Sequence, residues 1–462
     1  MPLVAGVDSS TQSCKVVIVD AVSGVVVRSG RVSHPEGTEV DPEAWWTALR
    51  SAIADAGGLA DVGAISIGGQ QHGMVVLNRR GRVIRHALLW NDTRSAAAAV
   101  ALDSEFPDLV ERTGSRPVAS FTSTKLRWLR DEEPENAALV AAVALPHDWL
   151  TWRLRGFGPE NPILDALTTD RSEASGTGYW NPTNGEYDLD VLAAAIGTSE
   201  ITLPRVVAPG DRAGNVGFDP DLSNIVVGPG AGDNASAALG LGAQDGDVIV
   251  SIGTSGTVFA VTSTPIRDST GAVSGFADAS GLFLPLVATL NAAQVLDSIA
   301  DLLSVDHSEL GKLALEARPG ADGLVLQPYF KGERTPNLPD ATATLFGLTL
   351  WNTSRTNFAR AAIEGLLCGL ADGLDALRAQ GVDSRRILLI GGAAQNPAVS
   401  TIAAQVFAEL ILVPQPGEYV AIGAAVQAAW ALTGTRPNWE VPIAVAPKSD
   451  FQPVIRQQYS ER

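Results

Sequence analysis

The chain has 462 residues, with 33 Lys plus Arg against 51 Asp plus Glu, a formal net charge of −18. An apolar fraction of 45% with only 18% charged residues is enough to bury the cores of two or three domains, which excludes a disordered chain. The acidic balance speaks against nucleic acid or an anionic membrane as partner, because both repel such a surface; an anionic ligand can still sit in a pocket of backbone N–H groups, a lysine and a metal ion.

Residues 3–7 read as an apolar strand, 8–13 as a polar turn and 15–20 as an alternating strand, with another over 25–29 after Gly24. Asp41 is placed to cap a helix that begins at Pro42 and carries Trp45, Leu49, Ile53 and Ala56 at helical spacing. Residues 62–67 form a buried-type strand, broken by Gly68 and Gly69 and resumed over 74–78, and residues 92–154 are mainly helical. Around 225–241 the pattern becomes strand, glycine loop and helix, followed by a strand at 248–251, a tight turn at 253–256 and a strand at 257–262. A long helix over 354–380 stops at Gly381, and then come a strand at 386–390, a turn at Gly391-Gly392 and a helix opened by Pro397. Beyond Gly434 the chain is Pro-rich and aperiodic, the pattern of a tail packed on the surface or partly mobile.

The segments VDSSTQSCKVVIVD and SIGTSGTVFAV share one plan of strand, Ser/Thr/Gly turn and strand, and aligning Thr11 with Thr254 gives an offset of 254 − 11 = 243 residues. Either two unrelated hairpins look alike, or an α/β domain is duplicated around a cleft, with its boundary at residues 242–247.

Each motif has a plain reading beside a chemical one. Asp8, followed by the hydroxyl-rich turn to Ser13 and by Lys15, is either an ordinary hairpin or a phosphate cradle with a carboxylate for Mg²⁺. Asp233, delivered by GPGAGDNA at a helix start, is either an N-cap or a general base for a hydroxyl nucleophile. Gly253 to Gly256 offers a second phosphate hairpin or only a turn; Gly391 to Pro397 is a strand–helix turn that a nucleotide base could lie against. Gln71 and His72, between glycines, supply directional groups suited to sugar hydroxyls, and Trp90 to Asp92 an aromatic wall with polar contacts or a helix cap. FKGERTPN, residues 330–337, reads by default as a solvated connection.

Cys14 and Cys368 make no disulfide framework, the five scattered His show no metal-ligand spacing, and the opening MPLVAGVDSS has no signal-peptide character. No stretch approaches the ~20 apolar residues of a membrane span, so a cytoplasmic protein is expected.

DSSTQSCK, GQQHG, LWNDTR, PHDWLTWRL, GAGDNA, SIGTSGTVFAV, PYFKGERTPN, IGGAAQNP and EYVAIGAA, in this order and spacing, resemble the FGGY carbohydrate kinases, and within them the xylulokinase branch. The resemblance runs from Val4 to about Leu432 and implies two ribonuclease-H-like, actin/hexokinase-type α/β domains with a catalytic cleft between them. It implies an N-terminal domain at 1–243 with sugar site, first hairpin and base, an ATP-binding domain at 244–434, and a tail at 435–462. It also implies ATP-dependent phosphorylation of D-xylulose, with Asp233 as base, Gln71, His72, Trp90 and Asn234 on the sugar, and Asp8 toward Mg²⁺. Thr11, Lys15, Gly253, Thr254, Gly392 and Asn396 fall on the ATP side. An Asp pKa of ~3.9 would keep Asp233 ionised at neutral pH. Ser10 stands where many relatives have Gly, which leaves the detailed geometry of the first hairpin open. A homodimer fits this reading. The alternatives are a kinase for ribulose, fuculose, glycerol or a related polyol, and an actin- or Hsp70-like ATPase switch.

Overall fold

The computed structural model describes residues 2–462. Two sheets share one strand order, and each opens with the repeated hairpin. In the first, β1 (Leu3–Ser9), β2 (Ser13–Asp20), β3 (Val26–Ser33), β4 (Val62–Gly69) and β5 (Val226–Val227) lie in the order β5–β4–β1–β2–β3. In the second, β6 (Asp247–Ile252), β7 (Gly256–Ala260), β8 (Phe283–Thr289), β9 (Arg386–Ile390) and β10 (Leu410–Pro414) lie in the order β8–β7–β6–β9–β10. In both, the first three strands pair antiparallel and the last two add parallel to the first. The duplication therefore extends well beyond the hairpin, and this is the two-domain actin/hexokinase-type fold.

Apolar residues at consecutive positions make β1, β4 and β6 buried on both faces, as parallel pairing under helices requires. The helix Pro42–Asp55, capped by Asp41 accepting from the Glu43 amide, lays Trp45, Leu49 and Ile53 against the first sheet. The opposite face is covered from the far end of the chain, where the helix Tyr419–Thr433 packs Ala421, Ala425, Ala428 and Ala429 on Val4, Val17, Val19 and Ala64. That helix also meets the helix Asp233–Gly240 backbone to backbone. A Cβ on Gly423 would lie 1.8 Å from the Ser236 carbonyl oxygen, and one on Gly240 2.1 Å from that of Tyr419. On the second sheet the helix Arg355–Ala379, capped by Ser354 and followed by Gly381 at φ +85°, lays Ile363, Leu366, Leu370 and Leu374 into the core. Inside it Arg360 and Glu364 form a buried ion pair at 2.6 Å, and Glu364 Oε1 also accepts from the Gly320 amide at 2.9 Å.

Three local expectations are corrected. Asp8 belongs to β1, paired with Lys15, not to the turn. Gly68 and Gly69 do not break their strand, because Ala231 and Gly232 pair with them in parallel and satisfy their backbone groups. The aperiodic tail is structured: Ile443–Val445 adds antiparallel to β10, and the helix Pro453–Ser460 buries Ile455 and Tyr459 in the second core. Two anchors four residues apart on an eight-residue helix are too few to register as periodicity. Among the described residues no helix is long and apolar enough to cross a membrane.

Candidate active site

A cavity of about 330 Å³ gathers five residues the sequence singled out, Gln71, His72, Trp90, Asp233 and Asn234, from segments spread over more than 160 positions. Asp233 is the first residue of its helix; Gly232 is the cap, so the N-cap reading does not hold. Its Oδ1 accepts from the Asn234 amide at 2.8 Å and from Asn234 Nδ2 at 3.0 Å. Oδ2 takes no hydrogen bond among the described residues. Burial, with the Asp8 charge adding to it, pushes Asp233 up to about 7, which corrects the expectation of an unperturbed carboxylate.

The unfolded chain gives up this proton near the ordinary value of 3.8, the folded one only near 7. The folded state therefore binds the proton more tightly, and stability falls as pH rises from about 4 to 7. The Asp233→Asn protein, neutral throughout, is expected to melt above the parent at pH 8 and close to it at pH 4, both measured without divalent ions. An unchanged Tm difference between the two pH values would contradict this.

The loop before Asp233 rests on a buried polar layer that the sequence reading left without a role. The Gly232 amide donates to Ser172 Oγ at 2.9 Å, and that hydroxyl donates to Asp170 Oδ2 at 2.7 Å. Gln71 Nε2 donates to the Ser172 carbonyl at 3.1 Å, so one residue positions both the Gln71 amide and the loop before Asp233. His147 lies beneath Gly230, where a Cβ would come within 2.1 Å of its Cδ2. Burial pulls His147 down, but Asp148, with Oδ1 at 2.9 Å, and Asp170 carry it above its ordinary value. PHDWL marked this residue in sequence, but only folding puts it under the loop.

His72 has a left-handed backbone, φ 68°, and its ring stacks on Phe121 with centroids 4.9 Å apart. Nδ1 is 2.6 Å from the Gly176 carbonyl oxygen, which can only accept, so Nδ1 carries the proton. Burial and the nearby Lys125 and Arg334 charges push the imidazole down to about 3. It is neutral at working pH, with the Nε2 lone pair unengaged.

Trp90 Nε1 donates to Thr11 Oγ1 at 2.9 Å, tying the cavity rim to the first hairpin. Ser10 donates its backbone N–H to the Ser13 carbonyl at 3.1 Å, so a side chain is accommodated in this turn. Lys15 Nζ lies 2.6 Å from Glu418 and 3.4 Å from Asp8. Burial pushes Asp8 up to about 6 against the pull of Lys15, and its Oδ1 is buried without a partner. An orphaned carboxylate oxygen, close enough to a second carboxylate to raise it, fits a divalent cation. Among the described residues no cluster of three or more His, Cys, Asp or Glu that could hold a metal is present. Gly253 and Thr254 occupy the β6–β7 turn and line neither cavity, although their neighbours Ser251 and Ser255 line the first.

A second cavity, about 660 Å³, is walled by Leu296, Leu315 and Ala398 beside Gly392 and Asn396. Gly392 has an ordinary φ of −59°, and a Cβ there would meet nothing within 4 Å. Neither strain nor packing asks for glycine at this position on the cavity wall. Asn396 borders the cavity, but its amide is committed: Oδ1 caps the helix Pro397–Val406 and Nδ2 donates to the His307 carbonyl at 2.8 Å. The loop 330–337 is exposed at its two ends, Phe330-Lys331 and Pro336-Asn337, as a solvated connection would be, but its centre is not. Glu333 is buried, accepting from the Leu290 amide at 2.7 Å and from Asn291 Nδ2 at 2.9 Å, and this turns Arg334 into the first cavity.

The duplicated two-domain fold thus places a small cavity beside Asp233 and a larger, apolar-walled cavity beside Gly392. The N-terminal and C-terminal domain models of the FGGY family of carbohydrate kinases match residues 3–240 and 248–432, and the chain belongs to that family. It is 43% identical to a xylulose kinase of Streptomyces rubiginosus, over 98% of this chain and 95% of that protein. It is 45% identical to one from Streptomyces coelicolor, over 94% and 89% of the two chains. The crystal structure of a xylulose kinase from Bifidobacterium adolescentis superposes with a TM-score of 0.94 at 47% identity, covering 100% of this chain and 99% of that one. The chain is a sugar kinase, and ATP is the phosphoryl donor its family implies.

Proposed function

We propose that this enzyme phosphorylates D-xylulose at O5, with Asp233 as general base and Mg-ATP as donor. The observation that carries the mechanism is the free Asp233 Oδ2 in a cavity with Gln71, His72 and Asn234, and the sugar is the one named for the relatives above. The C5 hydroxyl donates to Asp233 Oδ2 and attacks the γ-phosphorus in line. The new O5–P bond forms as the bond to the ADP oxygen breaks, and the proton passes to Asp233. In a loose transition state that transfer is late, so positioning carries most of the rate. Asn234 holds Asp233, and Ser172 holds Gln71 and the catalytic loop. Mg²⁺ at Asp8 would neutralise charge on the phosphates. Thr11 and the Gly253-Thr254 turn offer hydroxyl and amide groups to the phosphate chain, and Lys15 joins them on leaving Glu418. The division into a sugar lobe, 1–243, and a nucleotide lobe, 244–434, is part of this reading.

The test is ADP release from Mg-ATP with D-xylulose, L- and D-ribulose, glycerol and D-xylose. A dominant D-xylulose rate is expected; preference for another acceptor overturns the sugar, and sugar-independent turnover overturns the kinase mechanism. For the nucleotide cavity, Gly392→Val is expected to raise KM for ATP about tenfold or more while Tm and KM for the sugar stay unchanged, because a Cβ at this position on the cavity wall meets no protein atom within 4 Å. Unaltered ATP kinetics would remove Gly392 from the ATP site.

A further inference from the structure

Arg334 reaches the sugar cavity from the second domain, and no salt bridge or hydrogen bond engages its guanidinium among the described residues. The adjacent Glu333 carboxylate is spent on Leu290, Asn291 and the Arg334 backbone amide. The position of Arg334 within the cavity follows from its second neighbour. It also lines an adjoining cavity of about 410 Å³, together with Ser274, Leu286 and Ala288, in which Asp233 and Asn234 have no part. Arg334 thus marks the end remote from the base. His72 meets the same wall, its ring 5.6 Å from that of Phe276, which stands two residues beyond Ser274 on the strand Ser274–Ala277, and the Arg334 charge bears on it.

We propose that Arg334 and His72 together select an α-hydroxyketone at the substrate end remote from Asp233. The proposal rests on the sugar-kinase reading and adds the chemistry by which the acceptor is chosen. A guanidinium offers only donors, and the neutral His72 offers an acceptor at Nε2 because Nδ1 is bound to Gly176. Adjacent C1–OH and C2=O groups of an open-chain ketose supply the complement, the hydroxyl donating to Nε2 and the carbonyl accepting from Arg334. A carboxylate would set a second lone pair against Nε2, and a polyol lacks the acceptor-only oxygen. A guanidinium half-buried without a counter-charge gains most from a carbonyl, because the charge-assisted bond restores what burial removed.

The experiment compares D-xylulose with D-arabitol, its C2-reduced form, in the parent, Arg334→Gln and Arg334→Lys enzymes, with Tm recorded for each. Arg334→Gln is expected to raise KM for the ketose about 10- to 100-fold with little change in kcat, and to change kcat/KM for the polyol less than about threefold. Arg334→Lys should recover part of the ketose loss. Equal losses on both sugars, or none on either, would overturn the proposal. If another ketose replaces D-xylulose as substrate, the sugar assignment fails, and the same ratio for that ketose and its polyol decides the role of Arg334. A parent enzyme that accepts polyols and no ketose overturns both.

Discussion

Asp233→Asn is expected to lower kcat by about 10²- to 10⁴-fold while KM for the sugar moves less than about threefold. The amide keeps the shape of the carboxylate, and its oxygen still accepts from Asn234, so the helix start and the cavity wall persist. What it loses is the capacity to take the hydroxyl proton. Because the parent carboxyl is pushed up to about 7 by burial, the substitution removes a group that folding disfavours when charged, and Tm should not fall. Steady-state kinetics beside a melting curve separate the cases. Near-normal kcat removes Asp233 from the base role, and a collapsed Tm makes its role structural.

The largest stability effect is expected far from the chemistry, at Arg360. Arg360 is 2% and Glu364 5% exposed, so Arg360→Met leaves a buried carboxylate with only the Gly320 amide against it. Uncovering one member of such a pair costs about 3–5 kcal/mol, read as a lowered urea midpoint at unchanged slope. Adding Glu364→Gln should return part of the loss, since the orphaned charge disappears. A midpoint shift below about 1 kcal/mol for the single variant would show that water reaches Glu364 and screens it.

Much of the site was legible as motifs. GQQHG and GAGDNA gave Gln71, His72, Asp233 and Asn234, because glycine-flanked polar residues signal a backbone opened to a ligand, and all four face one cavity. Asp8 and Lys15 were legible as members of one hairpin motif, but their pairing across its two strands, and Glu418 as the partner that occupies Lys15, came only from the structure. Phe121 and Phe276 had no local signature, since a lone aromatic residue looks the same in a core and beside a substrate. Ser172, Asp170 and His147 act through other residues, and a role at second remove has no spacing rule.

By itself the sequence determined the repeated hairpin, the glycine-flanked polar motifs, the cap at Asp41 and the long helix ending at Gly381, all set by contacts within a few residues or by a pattern repeated at fixed offset. Tertiary structure decided the strand order, the helix of residues 419–433 on the first sheet, the turning of Arg334 into the cavity and the raised proton affinity of Asp233. Each depends on what lies across space. Burial, electric field and helix-to-helix distance are sums over neighbours from remote parts of the chain, and no local window of residues contains them.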